Sequence, residues 1–128
     1  MIIKAAMIAL GLALATPALA QTPPAAVSAV PTTRILAIGT LSGNRQSDAF
    51  RQVMPREVRE TVDLYLKGKI DQWYVKQDQS GVVFILDVTS VEEARAMLEA
   101  LPLGQAGLMH FDLTPLGPLN PLRMLIKP

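Results

Sequence analysis

Three features of the chain predict an α+β fold with its elements in the order β-α-β-β-α-β. Short runs rich in aliphatic and β-branched residues recur at 34–41, 70–77, 82–88 and 108–114. Two stretches with apolar residues at helical spacing separate them, one after Pro55 and one after Ser90. A polar turn at 78–81 joins the second and third runs closely enough for a hairpin.

Arg34–Leu41 (RILAIGTL) reads as the first strand, and residues 42–54 as a loop with a helical turn. Pro55 suits a helix start, where its missing N–H costs nothing. Val58, Val62, Tyr65 and Leu66 then form one apolar stripe, with Glu57, Arg59, Glu60 and Asp63 largely off it. That helix is predicted to end near Lys67-Gly68. Residues 70–77 (IDQWYVKQ) and 82–88 (VVFILDV) are predicted to pair antiparallel across Asp78-Gln79-Ser80-Gly81. Ser90 and Glu93 have the spacing of a capping box. The helix behind them carries Val91, Ala94, Met97, Leu98 and Leu101 on one side and is expected to end at Pro102. Residues 108–114 (LMHFDLT) give a fourth strand, and 122–126 are expected to make a short edge strand.

This order is that of ferredoxin-like folds, in which two helices cover one face of a four-stranded antiparallel sheet. Both faces of the predicted sheet are apolar. Val82, Phe84, Leu86 and Val88 point one way and Val83 and Ile85 the other. Ile35 and Ala37 likewise oppose Leu36 and Ile38. A sheet with one wet face alternates apolar with polar residues instead. The second face therefore calls for a cover, and a second copy of the chain, giving a homodimeric α+β barrel, is the expected one. A partner protein or the tail folding back are the alternatives.

Residues 68–118 carry a family pattern. It consists of Trp73 in the second strand, the run Val83-Phe84-Ile85-Leu86-Asp87-Val88-Thr89-Ser90-Val91-Glu92-Glu93-Ala94, and Leu101-Pro102-Leu103 after the second helix. In these features the chain resembles the muconolactone isomerase-like branch of the dimeric α+β barrel superfamily. The resemblance implies the barrel fold, a homodimer and a cofactor-free isomerase activity. These residues mainly pack, cap and turn, so the resemblance assigns no catalytic residue.

Ahead of the fold, residues 1–20 read as an export signal. Lys4 precedes an apolar stretch from Ala5 to Ala15, and Ala18-Leu19-Ala20 fits the site a signal peptidase cuts. A periplasmic or secreted mature protein is expected, with no membrane attachment after cleavage. Residues 21–33 hold three prolines among small residues and read as a flexible linker. Residues 34–128 form the single domain.

Composition narrows the chemistry. The chain of 128 residues has 12 basic and 11 acidic side chains, and loss of Lys4 balances them. A neutral domain lacks the basic footprint of a nucleic-acid binder. There is no cysteine and one histidine. Disulfides, thiolate catalysis and a multi-histidine metal site within one chain are excluded.

His110 and Asp112 are the sharpest catalytic candidates. Two apart on a strand, they share a face, and that face is expected to be the barrel interior. A histidine beside a carboxylate can take up and return a proton, as migration of a double bond next to a lactone carbonyl requires. A polar pair at a dimer seam has the same spacing. Trp73 and Tyr74 lie on opposite faces of the second strand, where simple packing is the first expectation and stacking on a flat ligand the second. Arg34 at the start of the first strand could meet a ligand carboxylate, or be a solvated strand end. The functional reading is a small isomerase or lyase acting on an organic acid or lactone. The alternative is a non-catalytic module that binds a small molecule or a partner.

Overall fold

A computed structural model describes residues 11–15, 18–19 and 29–126. Most of the export signal and most of the linker therefore lie outside the described residues. Among those described, no helix is long and apolar enough to cross a membrane.

The predicted order holds. β1 (Arg34–Leu41), α1 (Asp48–Leu66), β2 (Ile70–Val75), β3 (Gly81–Leu86), α2 (Val91–Glu99), α3 (Pro102–Gln105) and β4 (Met109–Leu116) follow one another along the chain. The four strands form one antiparallel sheet in the order β2-β3-β1-β4. The two earliest-paired runs in the sequence, β2 and β3, form the hairpin. The first strand sits in the middle, between β3 and β4.

One face of the sheet carries the core. Ile35, Ala37, Phe84 and Leu86 pack there with Ala94 and Leu98 of α2, and with Leu101. Leu98, Leu86, Ile35 and Ile70 are completely buried. Burying each such side chain contributes about 1.5–3 kcal/mol. Gly39 belongs to this face as well. A Cβ there would stand 2.8 Å from the Phe111 ring and 2.9 Å from Met109 Sδ, so only glycine lets β4 side chains cross over β1.

α1 begins earlier than the sequence suggested. The Ser47 hydroxyl accepts from the Phe50 amide at 3.2 Å and caps the helix, with Asp48 in its first turn. Pro55 thus lies inside the helix rather than at its start. It removes one backbone donor, but Arg51 and Pro55 are both exposed, so water can serve the freed carbonyl. The predicted end is accurate. Gly68 adopts φ +75°, and the Lys69 amide donates to the Leu64 carbonyl at 2.9 Å.

At α2 the Ser90 hydroxyl accepts from the Glu93 amide at 3.2 Å, as the capping box requires. The reciprocal half differs: Glu93 pairs with Lys69 at 3.2 Å, and Ser90 Oγ donates to Glu92 Oε2 at 2.9 Å. Pro102 ends α2 but also opens α3, whose Pro102 and Leu103 are buried. Of the expected edge strand at 122–126, residues 122–125 belong instead to a 3₁₀ helix, Asn120–Leu125, in a segment punctuated by Pro118 and Pro121.

Candidate functional site

The apolar stripe of α1 does not close down on the sheet. Val58 is 52% exposed and Val62 37%. Between this stripe and the sheet lies a cavity of about 560 Å³. Its helix wall is Phe50, Met54, Glu57, Val58, Thr61 and Val62, which recur at spacings of three and four. Its floor is the helix-side face of the sheet, with Trp73, Val75, Val82, Phe84 and Met109. Leu103 of α3 closes one end, and Arg45 and Gln79 stand at the other parts of the rim.

Glu57 is the one acidic residue in this lining. It is only 6% exposed. Its Oε2 accepts from the Leu103 amide at 2.8 Å. That amide needs a partner, because Leu101 at the N-cap of α3 supplies no side-chain bond. Glu57 thus caps a short helix from across the interface. Burial pushes its pKa above the ordinary glutamate value. The Leu103 hydrogen bond opposes the rise, Glu60 adds to it, and hydrogen bonding with Thr61 and the nearby Arg56 oppose it more weakly. A carboxyl shifted upward in an apolar cavity is a candidate to take up and release a proton.

Glu57 was not among the sequence candidates. It was grouped with the polar face of the helix, and a one-residue difference in helical phase separates that face from the cavity wall. The usable signal was its position three residues after Met54 and four before Thr61, on the path of Phe50 and Met54.

Of the sequence candidates, Trp73 lies in the cavity. Its ring stacks on Tyr65 with centroids 4.2 Å apart and planes 9° from parallel. Tyr74 also borders the cavity, while its hydroxyl donates to Gln72 Oε1 at 2.9 Å. Arg34 does not reach it. Its guanidinium binds Asp87 at 3.0 Å and Asp71 at 3.5 Å, which occupies it at the far end of the sheet. His110 and Asp112 share a face as expected, but it is the other face of the sheet. They stand opposite Thr40 and Ile38 of β1, both exposed and outside the cavity. The same open face presents Leu36, Ile38, Val83 and Ile85, which are neighbours across β1 and β3. No group of acidic or histidine residues able to hold a metal ion occurs among the described residues.

No known family model matches the chain, and no curated protein matches its sequence. Solved structures do resemble it. Muconolactone isomerase is 20% identical, with a TM-score of 0.54 over 65% of this chain and 86% of that one. The 5-chloro-2-hydroxyhydroquinone dehydrochlorinase of Burkholderia phenoliruptrix, in complex with 2,5-dihydroxybenzoquinone, is 17% identical, with a TM-score of 0.50 over 65% of this chain and 92% of that one. At these identities the likeness is one of fold. The chain has the ferredoxin-like α+β fold of muconolactone isomerase, as its sequence pattern led us to expect.

Proposed function

We propose that the chain is a small acid–base enzyme of isomerase or lyase type, with the cavity between α1 and the sheet as its active site. The observation that carries this reading is Glu57, a buried carboxyl with a raised pKa lining an otherwise largely apolar cavity. The substrate class that fits is a small unsaturated lactone or organic acid. The ionised Glu57 takes a proton from a saturated carbon that the carbonyl acidifies, either directly beside it or at the far end of a conjugated double bond, and the electron pair enters the π system. The neutral carboxyl then returns the proton to another carbon, so the double bond moves and Glu57 is regenerated. No cofactor is required. Trp73 and Phe84 offer flat surfaces against which an unsaturated ring can lie. An isomerase and a dehydrochlorinase share the fold, which favours a reaction of this broad class.

The homodimer and the export of the protein belong to the same proposal. The uncovered face with Leu36, Ile38, Val83 and Ile85 supports a second copy as its cover. In that assembly His110 and Asp112 stand at the seam between the sheets, where their polar contacts would set the pairing. Lys4, the apolar stretch and Ala18-Leu19-Ala20 support export.

The test is solvent-deuterium incorporation into a panel of small unsaturated lactones, followed by NMR. Wild-type protein and His110→Ala should catalyse exchange, and Glu57→Gln should lose it by at least about a hundredfold, the usual contribution of a positioned acid–base group. Exchange that survives Glu57→Gln but not His110→Ala would return the role to the open face. Ligand binding without exchange would make the chain a binding module.

A further inference from the structure

Arg45 is the one basic residue on the rim of the cavity, in the loop between β1 and α1. Its guanidinium holds the turn between β2 and β3. Nη1 donates to the Gln79 carbonyl at 3.0 Å and Nη2 to Gln79 Oε1 at 2.7 Å. Gln79 sits at φ +59°, a left-handed conformation that few residues other than glycine adopt, and it presents both of its oxygens to one arginine. Both acceptors are neutral. Among the described residues, the ion pairs take up Arg34, Arg51, Arg56, Lys67, Lys69 and Arg95, and none includes Arg45. The acidic residue in the cavity lining, Glu57, is the one whose charge burial disfavours. The rim therefore carries a positive charge that no ion pair among the described residues takes up, beside a mainly apolar space.

We propose that Arg45 is the residue that selects for an anionic ligand, and that the ligand is a flat ring bearing a carboxylate. The ring lies in the apolar interior against Trp73, one of whose faces is already taken by Tyr65. The carboxylate stays at the rim and accepts from the guanidinium N–H groups that Gln79 leaves free, in the planar geometry that suits this pair. Gln79 acts as a splint: it holds the guanidinium in place before the ligand arrives, so little side-chain freedom is lost on binding. This inference rests on the cavity being a ligand site.

The chain contains a single tryptophan, and it lines the cavity, so its fluorescence reports occupancy directly. The experiment titrates benzoate and its neutral counterpart benzamide against the full chain, against Arg45→Gln and against Arg45→Lys. Wild-type protein should bind benzoate about tenfold more tightly than benzamide, as a charge-assisted contact predicts. Arg45→Gln should bind the two alike with benzamide affinity unchanged, and Arg45→Lys should keep part of the preference. Equal binding by wild-type protein, or a preference that survives in Arg45→Gln, overturns the inference and leaves the cavity reading intact. Binding of neither compound removes the cavity reading and the inference together. If Arg45→Gln loses benzamide as well, Arg45→Lys decides: a retained preference supports the role, and its absence refutes it.

Discussion

Replacing Glu57 by Gln should stabilise the fold at neutral pH. In the unfolded chain this carboxyl ionises at the ordinary glutamate value, and in the native state at a higher one, chiefly because burial penalises the charge. Between those two values the native state holds more protons than the unfolded state. Stability therefore falls as pH rises through that window and stays at the lower level above it. Gln removes the charge while keeping an oxygen for the Leu103 amide, whose bond to Glu57 spans 2.8 Å. A hydrogen bond to a charged acceptor is worth about 1.5–3 kcal/mol and a neutral one about 0.5–1.5 kcal/mol, so the exchange loses about 1 kcal/mol there. Against this stands the cost of burying an ion, several kcal/mol after relaxation. The desolvation cost exceeds that loss, so the balance at pH 7 is a net gain of about 1 kcal/mol or more. For a domain of this size each kcal/mol moves the melting temperature by about 4–8 °C. Calorimetric melting of both proteins from pH 4 to pH 8 tests it. The curves should converge at low pH and separate as pH rises, with the variant higher. A variant that melts below wild type at pH 7, or a gap that does not change with pH, would refute the argument that desolvation dominates at Glu57. The same substitution should abolish proton exchange, so stability and activity should move in opposite directions.

Other perturbations separate core, sheet and open face. Leu98→Ala, at a fully buried position between α2 and the sheet, should cost about 2–5 kcal/mol in urea unfolding. Gly81→Ala should cost about 3 kcal/mol or more, because a Cβ there would fall on the Gly39 carbonyl oxygen and force β1 and β3 apart; near-normal unfolding would show that the strand end yields easily. Ile85→Lys on the open face should leave the monomer folded and shift sedimentation toward a single copy, whereas an unchanged mass would separate this face from association.

Much of the fold was legible because its signals are local. RILAIGTL gave the whole of β1, and Ser90 with Glu93 placed the start of α2. Gly68 marked the end of α1, since a left-handed residue is needed where the helix stops. The start of α1 was not legible in the same way. Pro55 is a strong signal for a first turn, yet Ser47-Asp48 caps the helix earlier and an exposed position lets the proline remain inside. The site was legible only in part. Trp73 was identified as a candidate for a ligand surface, and it does line the cavity. Glu57 escaped notice because nothing in the local pattern says that α1 stands off the sheet. That spacing depends on how Leu103 of α3 meets α1, a contact between residues 46 positions apart. Arg34 had the right chemistry for an anion but is drawn to Asp71 and Asp87, neighbours that only the folded sheet assembles.

The central place of β1 sets a schedule for the growing chain. β1 is made first, yet its partners are β3, complete at Leu86, and β4, complete at Leu116. Both of its edges stay unpaired until β3 is made and one stays unpaired until β4 is made, so the sheet cannot close before Leu116 has emerged. Such distant pairing slows folding. Under the export proposed above, that delay is useful, since a chain that has not yet closed its sheet can still be threaded through a pore.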